Sequence, residues 1–293
     1  MGKQICLSRK PHNEFPAKEK NCSLVFKYSR SMEITFFKYQ GTGNDFIIID
    51  NRDLKFNREN NSLVAKLCDR RFGIGADGLM LLQTKTGYDF EMVYYNSDGN
   101  ESSMCGNGGR CIVEFARGLG LVNDVAHFVA IDGEHEAIVK PGFISLKMND
   151  VKEVELNKDY CFLNTGSPHY VAFIDDVATY DVAGEGKKIR NNNRFKSEGT
   201  NVNFIEKLHD DLFVRTYERG VEAETYSCGT GVTAAALIAA IKNISTTKDY
   251  CDIKTLGGNL KVKFKKHADN SFTDIWLEGS AVFVFKGEIT IKG

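Results

Sequence analysis

The sequence predicts an α+β fold with two pseudo-symmetric halves, each a curled, mainly antiparallel sheet around a central buried helix. Three observations support this prediction. Short runs of β-type residues separated by turn residues occupy most of the chain. Two of the few helical patterns each follow a Cys-Gly-x-Gly segment, and two sequence landmarks repeat with a common spacing.

The internal repeat divides the chain into two equivalent parts. The segment Cys105–Gly108 (Cys-Gly-Asn-Gly) recurs as Cys228–Gly231 (Cys-Gly-Thr-Gly), and Thr42-Gly43 recurs as Thr165-Gly166. Both pairs are separated by the same 123 positions. A spacing shared by two landmarks indicates an internal duplication. Each half should therefore present one thiol at the start of a helix.

Strands account for most of the predicted secondary structure. A first strand pattern is Glu33–Phe37, and Pro141-Gly142 is typical of the turn of a hairpin. Further runs predict strands at Phe46–Asp50, Leu79–Gln83, Phe90–Tyr95, Phe143–Met148, Tyr170–Ile174, Asn201–Glu206, Leu212–Tyr217, Leu260–Phe264 and Ala281–Phe285.

Three segments have helical patterns. Ser62–Arg70 is amphipathic, and Gly109–Leu119 and Thr230–Lys242 follow the two repeated cysteines. The last of these helices is apolar on nearly every side, which predicts that a sheet encloses it completely.

The domain boundaries follow from the repeat. Residues 1–31 are polar and carry two of the four prolines, so we expect an extension outside the fold. The N-terminal half should comprise residues 32–149 plus 281–293 and contain Cys105. The C-terminal half should comprise residues 150–280 and contain Cys228.

Composition and charge exclude several functional classes. The 293 residues carry a formal net charge of −1, which gives no electrostatic basis for binding nucleic acid or a membrane surface. The longest apolar run, Ala234–Ile241, is too short to span a bilayer. The eight cysteines form no Cys-x-x-Cys pair, and no His lies at a zinc-finger spacing. We therefore expect no metal and a cytoplasmic protein with reduced thiols.

Cys105 and Cys228 have the setting of a catalytic pair. A thiol at a helix start lies beside free backbone N–H groups, which should lower its pKa from the usual value of about 8.5. The same N–H groups can bind a carboxylate, and the following glycines allow close approach. Two such halves, facing each other, would place one sulfur on each side of a carbon that bears a carboxylate. This arrangement suits inversion at an α-carbon, with one thiolate as base and one thiol as acid.

Other interpretations of these motifs remain open from the residues alone. Cys105 and Cys228 could be small core residues, or one of them could be the nucleophile of a hydrolase with His169 as base. A non-catalytic binding module of the same fold is a further alternative. Gly73–Gly78 matches Gly-x-Gly-x-x-Gly, but a helix precedes it and a strand follows, the reverse of a dinucleotide site. The remaining cysteines are interpreted as structural: Cys6, Cys22, Cys68, Cys111, Cys161 and Cys251.

At these residues the chain resembles the diaminopimelate epimerases, racemases of the lysine pathway that use no pyridoxal phosphate. Six segments carry the resemblance, in the family's order and from about residue 33 to the C-terminus. They are Gly41–Phe46 (GTGNDF), Asn96–Gly99 (NSDG), Met104–Cys111 (MCGNGGRC), Gly199–Asn203 (GTNVN), Tyr217–Gly220 (YERG) and Ser227–Gly231 (SCGTG). A racemase acting on proline or hydroxyproline would also use two cysteines, but it would not need residues for a second amino-acid head.

The resemblance implies a role for each site residue. In the LL-to-meso direction Cys228 accepts the proton and Cys105 donates it. His169 and Glu218 would modulate the pKa values of the thiols. Two sets of residues would bind the two ends of the substrate. The reacting carboxylate would be held by the backbone N–H groups of Gly106, Asn107, Gly229 and Thr230. The distal head would be held by Asn96, Asn201, Glu218 and Arg219, with Asn44 also contacting substrate.

The distal residues suit a zwitterionic amino-acid head. Arg219 offers a planar fork for a carboxylate, and Glu218 offers a counter-ion for an ammonium group. Two positions depart from the family pattern, because Gly78 stands where Gln is common and Ser167 where Asn is common. We assign no substrate contact to either. The resemblance further implies a homodimer, no cofactor, and a role in lysine and peptidoglycan precursor biosynthesis.

Overall fold

The structure, a computed structural model, describes residues 31–209, 211–244 and 247–291. The extension predicted over residues 1–31 therefore lies outside the described residues except for Ser31. The rest of the chain forms eighteen strands and four helices over these ranges.

Strands dominate the described chain, as the sequence predicts. They are β1 (Met32–Gly41), β2 (Asn44–Asp50), β3 (Gly78–Gln83), β4 (Phe90–Asn96), β5 (Glu101–Ser102), β6 (Val125–Ala130), β7 (Gly133–Lys140), β8 (Phe143–Lys147), β9 (Val154–Leu156), β10 (Cys161–Asn164), β11 (Pro168–Phe173), β12 (Asn201–Lys207), β13 (Leu212–Glu218), β14 (Ala223–Thr225), β15 (Tyr250–Thr255), β16 (Gly258–Lys266), β17 (Phe272–Gly279) and β18 (Val282–Ile291). The hairpin predicted at Pro141-Gly142 joins β7 to β8.

Three helices fall where they are predicted, and one was missed. The helices are α1 (Asn61–Cys68), α2 (Gly106–Gly118), α3 (Val182–Arg190) and α4 (Gly229–Ile241). The missed helix α3 contains two glycines and buries only Val182 and Gly186, so its apolar periodicity is weak. Its clearest signal is the cap, where the Asp181 side chain accepts a hydrogen bond from the Gly184 N–H. None of the helices in the described ranges is long and apolar enough to span a membrane.

The order of strand pairing repeats in the two halves. In the first half β2 pairs parallel with β3, β3 pairs antiparallel with β4, and β4 pairs parallel with β6. In the second half β11, β12, β13 and β15 pair in the same order and with the same directions. The repeat at 123 positions therefore corresponds to a duplicated supersecondary unit, and most other pairings are antiparallel.

The halves are joined through two strand pairings. β8 pairs antiparallel with β17, and the C-terminal strand β18 returns to pair antiparallel with β1. The return of β18 to the first strand supports the predicted assignment of residues 281–293 to the N-terminal half. The exact division of the chain into two halves stays a prediction.

Helix α4 is buried on every side because its side chains are small and apolar. Ala234 through Ala239 have essentially no exposed surface, and strands from β10 to β17 surround the helix. Helix α2 is also enclosed, and the buried apolar residues of both helices belong to one continuous core. Burial of both helices fixes their N-terminal ends in the interior, where the two halves meet.

We expect Leu277→Ala to lower the free energy of unfolding by about 2–5 kcal/mol, because it opens a cavity in this core. Leu277 is fully buried on β17, with a methyl carbon against the start of each central helix. Urea denaturation measures the change. Leu156→Ala, at a 49% exposed position on β9, is the control and should change stability by less than about 0.5 kcal/mol. Equal effects of the two variants would contradict this packing.

Candidate active site

The two repeated cysteines are the N-cap residues of α2 and α4. Both have extended backbone angles, with φ −90° and ψ 130° at Cys105 and φ −120° and ψ 115° at Cys228. The sequence-based prediction of one thiol at the start of each central helix is therefore confirmed. Each sulfur therefore lies beside the first N–H groups of its helix, which have no hydrogen-bond partner within the helix.

The starts of the two helices touch. A Cβ atom built on Gly106 would lie 3.5 Å from the Cα atom of Gly229, and one built on Gly229 would lie 3.3 Å from the Cα atom of Gly106. Both would also press on Leu277, at 3.1 Å and 3.0 Å from its Cδ2. Glycine at both positions favours this close approach of the two backbones, and both glycines line a single space.

That space is a cavity of about 650 Å³ between the halves. This volume suits a small-molecule ligand. Of the residues predicted to form the site, ten line the cavity: Asn44, Asn96, Cys105, Gly106, Asn201, Glu218, Arg219, Cys228, Gly229 and Thr230. Asn107 and His169 do not line it; both are buried behind its wall.

Asn107 connects the two halves beneath the cavity. Its side-chain nitrogen donates hydrogen bonds to Asn44 Oδ1 at 2.5 Å and to the Ser227 carbonyl oxygen at 3.1 Å. Its side-chain oxygen accepts from Arg110 at 3.0 Å. Arg110 is fully buried and also donates to Thr42 Oγ1 at 2.6 Å. The first turn of α2 is thereby fixed to the loop after β1 and to the segment before Cys228.

The second pair of repeat landmarks also supports the helix starts. Thr42 bonds Arg110 of α2, and Thr165 Oγ1 donates to the Thr230 carbonyl oxygen of α4 at 2.9 Å. Each Thr-Gly landmark therefore holds the cysteine-bearing helix of its own half. The shared spacing of the two landmarks reflects this shared contact.

The thiols do not have the lowered pKa values that the helix starts led us to expect. Burial raises the pKa of Cys105 and of Cys228, and the negative charge of Glu218 raises both further. Backbone N–H groups at the helix starts, together with the Thr230 hydroxyl near Cys228, act in the opposite direction. Removal from water outweighs the effect of the helix starts, so this expectation was wrong, and both sulfurs are thiols near neutral pH.

Glu218 and Arg219 lie together at the end of β13. Burial raises the pKa of Glu218, the Thr225 hydroxyl lowers it through a 3.0 Å hydrogen bond, and Asp77 raises it. Arg219 is exposed, and its Nη1 donates to the Glu198 carbonyl oxygen at 3.0 Å. Asn201 positions this turn, because its Oδ1 accepts from the Arg219 N–H at 2.9 Å. The cavity wall thus presents a carboxyl group and a guanidinium cation on adjacent residues.

Asn44 is held by an ionic cluster on its outer side. Its Nδ2 donates to Asp77 Oδ2 at 3.0 Å, and Asp77 also accepts from Arg70 at 2.6 Å. Asp45, the next residue, pairs with Arg70 at 2.5 Å and with Lys38 at 2.7 Å. Because Asn107 Nδ2 donates to Asn44 Oδ1, both polar groups of the Asn44 side chain are bonded to protein.

His169 is buried beneath the start of α4. Its Nδ1 lies 3.0 Å from Asn203 Nδ2, and burial lowers its pKa to about 3, so the ring is neutral. Asn203 in turn accepts from Thr216 at 3.0 Å. No hydrogen bond joins His169 to either cysteine in the described chain, which argues against the Cys–His hydrolase. Its predicted effect on the thiol pKa values stays a prediction.

The other predicted features have ordinary structural settings. The glycine-rich segment Gly73–Gly78 follows α1 and leads into β3, in the order that excludes a dinucleotide site. Four of the cysteines interpreted as structural are buried, namely Cys68, Cys111, Cys161 and Cys251. Cys6 and Cys22 lie outside the described residues.

The family model for diaminopimelate epimerase matches residues 36–148 and 161–284. The chain belongs to the diaminopimelate epimerase family. A diaminopimelate epimerase of Flavobacterium psychrophilum is 52% identical over 86% of this chain and 99% of its own length. Another, of Chlorobaculum tepidum, is 42% identical over the same shares of the two chains. The resemblance found in the six sequence segments is thus confirmed.

Solved structures of similar fold extend beyond this family. A PhzF-family phenazine biosynthesis protein of Bacillus anthracis has a TM-score of 0.68 at 16% identity, covering 89% of this chain and 100% of that one. A hydroxyproline epimerase of Agrobacterium vitis has a TM-score of 0.64 at 13% identity, covering 92% and 94%. At these identities the likeness shows the fold, and it confirms the predicted fold class.

Several cavity residues of this diaminopimelate epimerase family member were missed from the sequence. Asp77, Tyr94 and Ser227 line the cavity, as does Ser167, one of the two departures from the family pattern. At the other departure, Gly78, the ring of Tyr94 fills the space beside the Cα atom. Asp77 lies in the glycine-rich segment Gly73–Gly78, which was not assigned to a site, and Ser227 precedes the second repeated cysteine. The sequence did not identify Tyr94 as a site residue, because an aromatic residue in a strand pattern is typical of the core.

We predict that Glu218→Gln lowers the pKa of Cys228 in the ligand-free protein, because it removes a negative charge that opposes thiolate formation. The measurement is the rate of alkylation of Cys228 by iodoacetamide as a function of pH, read by peptide mass spectrometry. The rise of the alkylation rate with pH should occur at lower pH in the variant.

The matched control for this variant is Glu114→Gln. Glu114 pairs with Arg117 at 2.5 Å near the far end of α2, so its charge is remote from the cavity. The control curve should coincide with that of the unmodified protein. A Glu218→Gln curve that stays in place, or moves to higher pH, would contradict the electrostatic role of Glu218.

Proposed function

We propose that the protein interconverts LL-2,6-diaminopimelate and meso-diaminopimelate by proton transfer between two cysteines. The supporting observation is that the helix starts bearing Cys105 and Cys228 touch each other and open onto one cavity. Family membership supports the substrate, since the family interconverts these two isomers in lysine biosynthesis. In the LL-to-meso direction, the Cys228 thiolate removes the α-proton and the Cys105 thiol protonates the opposite face.

The reacting carboxylate would be stabilised by both helix starts. When the α-proton leaves, negative charge moves into this carboxylate, and N–H groups that are already oriented toward it stabilise the charge without reorganising. Gly106, Asn107, Gly229 and Thr230 are the residues in the first turns that supply such groups. After the second transfer Cys228 is a thiol and Cys105 a thiolate, so the reverse reaction uses the same groups with exchanged roles.

Substrate binding would itself activate the thiols. In the ligand-free protein the charge of Glu218 raises the pKa of both thiols. An ammonium group of the substrate beside Glu218 would offset that charge, which lowers the pKa values when a proton acceptor is needed. The base would therefore form in the presence of substrate, and the empty site would keep its sulfurs protonated.

The distal amino-acid head would bind at Asn96, Asn201, Glu218 and Arg219. Arg219 supplies a cation for the carboxylate and Glu218 an anion for the ammonium. A proline or hydroxyproline racemase has only one amino-acid head to bind, and it would leave these groups without a ligand. We also propose a cytoplasmic location, as composition and pathway imply.

The test is incubation of the protein with LL-diaminopimelate in D₂O, without added cofactor, followed by NMR. We expect meso-diaminopimelate with deuterium at the inverted carbon. Cys105→Ser and Cys228→Ser should each lower turnover by about 100-fold or more, since a hydroxyl is a far weaker acid than a thiol. Cys161→Ala, at a buried position outside the cavity, is the control and should keep its activity. Product without deuterium, or full turnover by either serine variant, would refute the two-cysteine mechanism.

We further propose a homodimer, as the family resemblance implies, with the start of β18 in the interface. Val282, Phe283, Val284 and Phe285 are each 43–51% exposed, an unusual run of surface apolar side chains. Val284→Asp should give a monomer by sedimentation velocity. Leu256→Asp, at a 50% exposed position in the turn between β15 and β16, should leave the dimer intact. A monomeric unmodified protein would contradict this proposal and leave the two-cysteine mechanism unaffected.

A further inference from the structure

Tyr94 occupies space that a side chain at position 78 would need. Gly78 begins β3 and Tyr94 lies on the adjacent strand β4. A Cβ atom on Gly78 would lie 2.6 Å from Tyr94 Cε2 and 2.9 Å from its hydroxyl oxygen. Position 78 can therefore hold only glycine while the ring is there. The ring also packs edge-on against Phe46 at 6.2 Å between centroids, so two buried neighbours fix its orientation.

The hydroxyl of Tyr94 is available to a ligand. The residue is 7% exposed, it lines the cavity, and its hydroxyl makes no hydrogen bond to any residue in the described chain. A buried tyrosine hydroxyl normally has a partner. The next residue shows the usual case, because the Tyr95 hydroxyl donates to the Arg58 carbonyl oxygen at 2.8 Å. The Tyr94 hydroxyl therefore opens onto the cavity, where a polar group of the substrate can reach it.

The charges around this hydroxyl indicate which substrate group that partner is. Burial raises the pKa of Tyr94, and Cys105, Glu218 and Asp77 raise it further in that order. The phenol is therefore neutral, and the groups that raise its pKa are ones that are negative when ionised. Such groups attract a cation and repel a carboxylate. The ring of Tyr94 packs against Phe46, whose own ring would lie 3.6 Å from a Cβ atom built on Gly108 in the first turn of α2, so Tyr94 lies at the reacting end of the cavity.

We propose that Tyr94 is a substrate-binding residue whose hydroxyl oxygen accepts a hydrogen bond from the ammonium group on the reacting carbon. Glu218 remains the counter-ion of the distal ammonium group. This inference rests on the proposed function, and it adds to the site a residue that the sequence motifs do not include.

The test uses Tyr94→Phe, which keeps the ring against Gly78 and Phe46 and removes only the hydroxyl. Loss of a hydrogen bond to a charged group should raise KM for LL-diaminopimelate about tenfold or more, with a much smaller change in kcat. The second probe is (2S)-2-aminopimelate as a competitive inhibitor. Its single amino-acid head can fill the distal end, and it carries no ammonium group at the reacting end. Its inhibition constant should therefore change by less than about twofold.

The matched control is Tyr95→Phe, which removes the neighbouring hydroxyl that bonds Arg58 outside the cavity. It should lower the free energy of unfolding by about 1 kcal/mol and leave KM unchanged. An unchanged KM in Tyr94→Phe, or an equal weakening of substrate and 2-aminopimelate, would overturn the proposed contact. Failure of the proposed function is a separate result, because the unmodified protein would then not turn over LL-diaminopimelate at all.

Discussion

The site depends on the contact between the starts of α2 and α4. Gly106 and Gly229 lie in close contact, and a Cβ atom at either position would press on Leu277 beneath them. Both helices are enclosed by sheet, so their positions are fixed by the cores of their own halves. As a result the two cysteines, the open N–H groups and the residues that surround them face a single cavity. A change in the packing of either half would move one sulfur relative to the other.

The electrostatics of the site follow from its burial. A helix start favours a thiolate, yet the thiols of Cys105 and Cys228 lie in an interior that disfavours any charge, and Glu218 adds a negative charge nearby. The larger effect is burial, so both sulfurs are neutral. A ligand that brings its own ammonium and carboxylate groups changes this balance, because it supplies the counter-charges that the protein lacks. The same burial makes Arg110 and Asn107 important, since they satisfy polar groups that water cannot reach.

Local sequence patterns predicted the strands and helices that carry the site. They gave no prediction, or a wrong one, for features that depend on tertiary contacts. The strand runs and the helices after Cys105 and Cys228 were found because their periodicity is strong. Helix α3 was missed because its glycines and few buried residues give little periodicity. Tyr94 was missed because nothing in a strand pattern distinguishes a core ring from one whose hydroxyl opens into a cavity. The prediction of lowered thiol pKa values was wrong because the sequence reveals the helix starts but does not reveal how deeply the thiols are buried.

The sequence by itself determined the duplication, the two cysteines at helix starts, the family and the residue types that a diamino acid requires. These properties are local, since motif identity and spacing are written in the order of residues. Only the tertiary structure decided that the two helix starts touch, that Asn107 and Arg110 join the halves beneath the cavity, and that Tyr94 fills the space beside Gly78. These contacts join residues that are distant in the chain, and their geometry depends on how two curled sheets pack against each other.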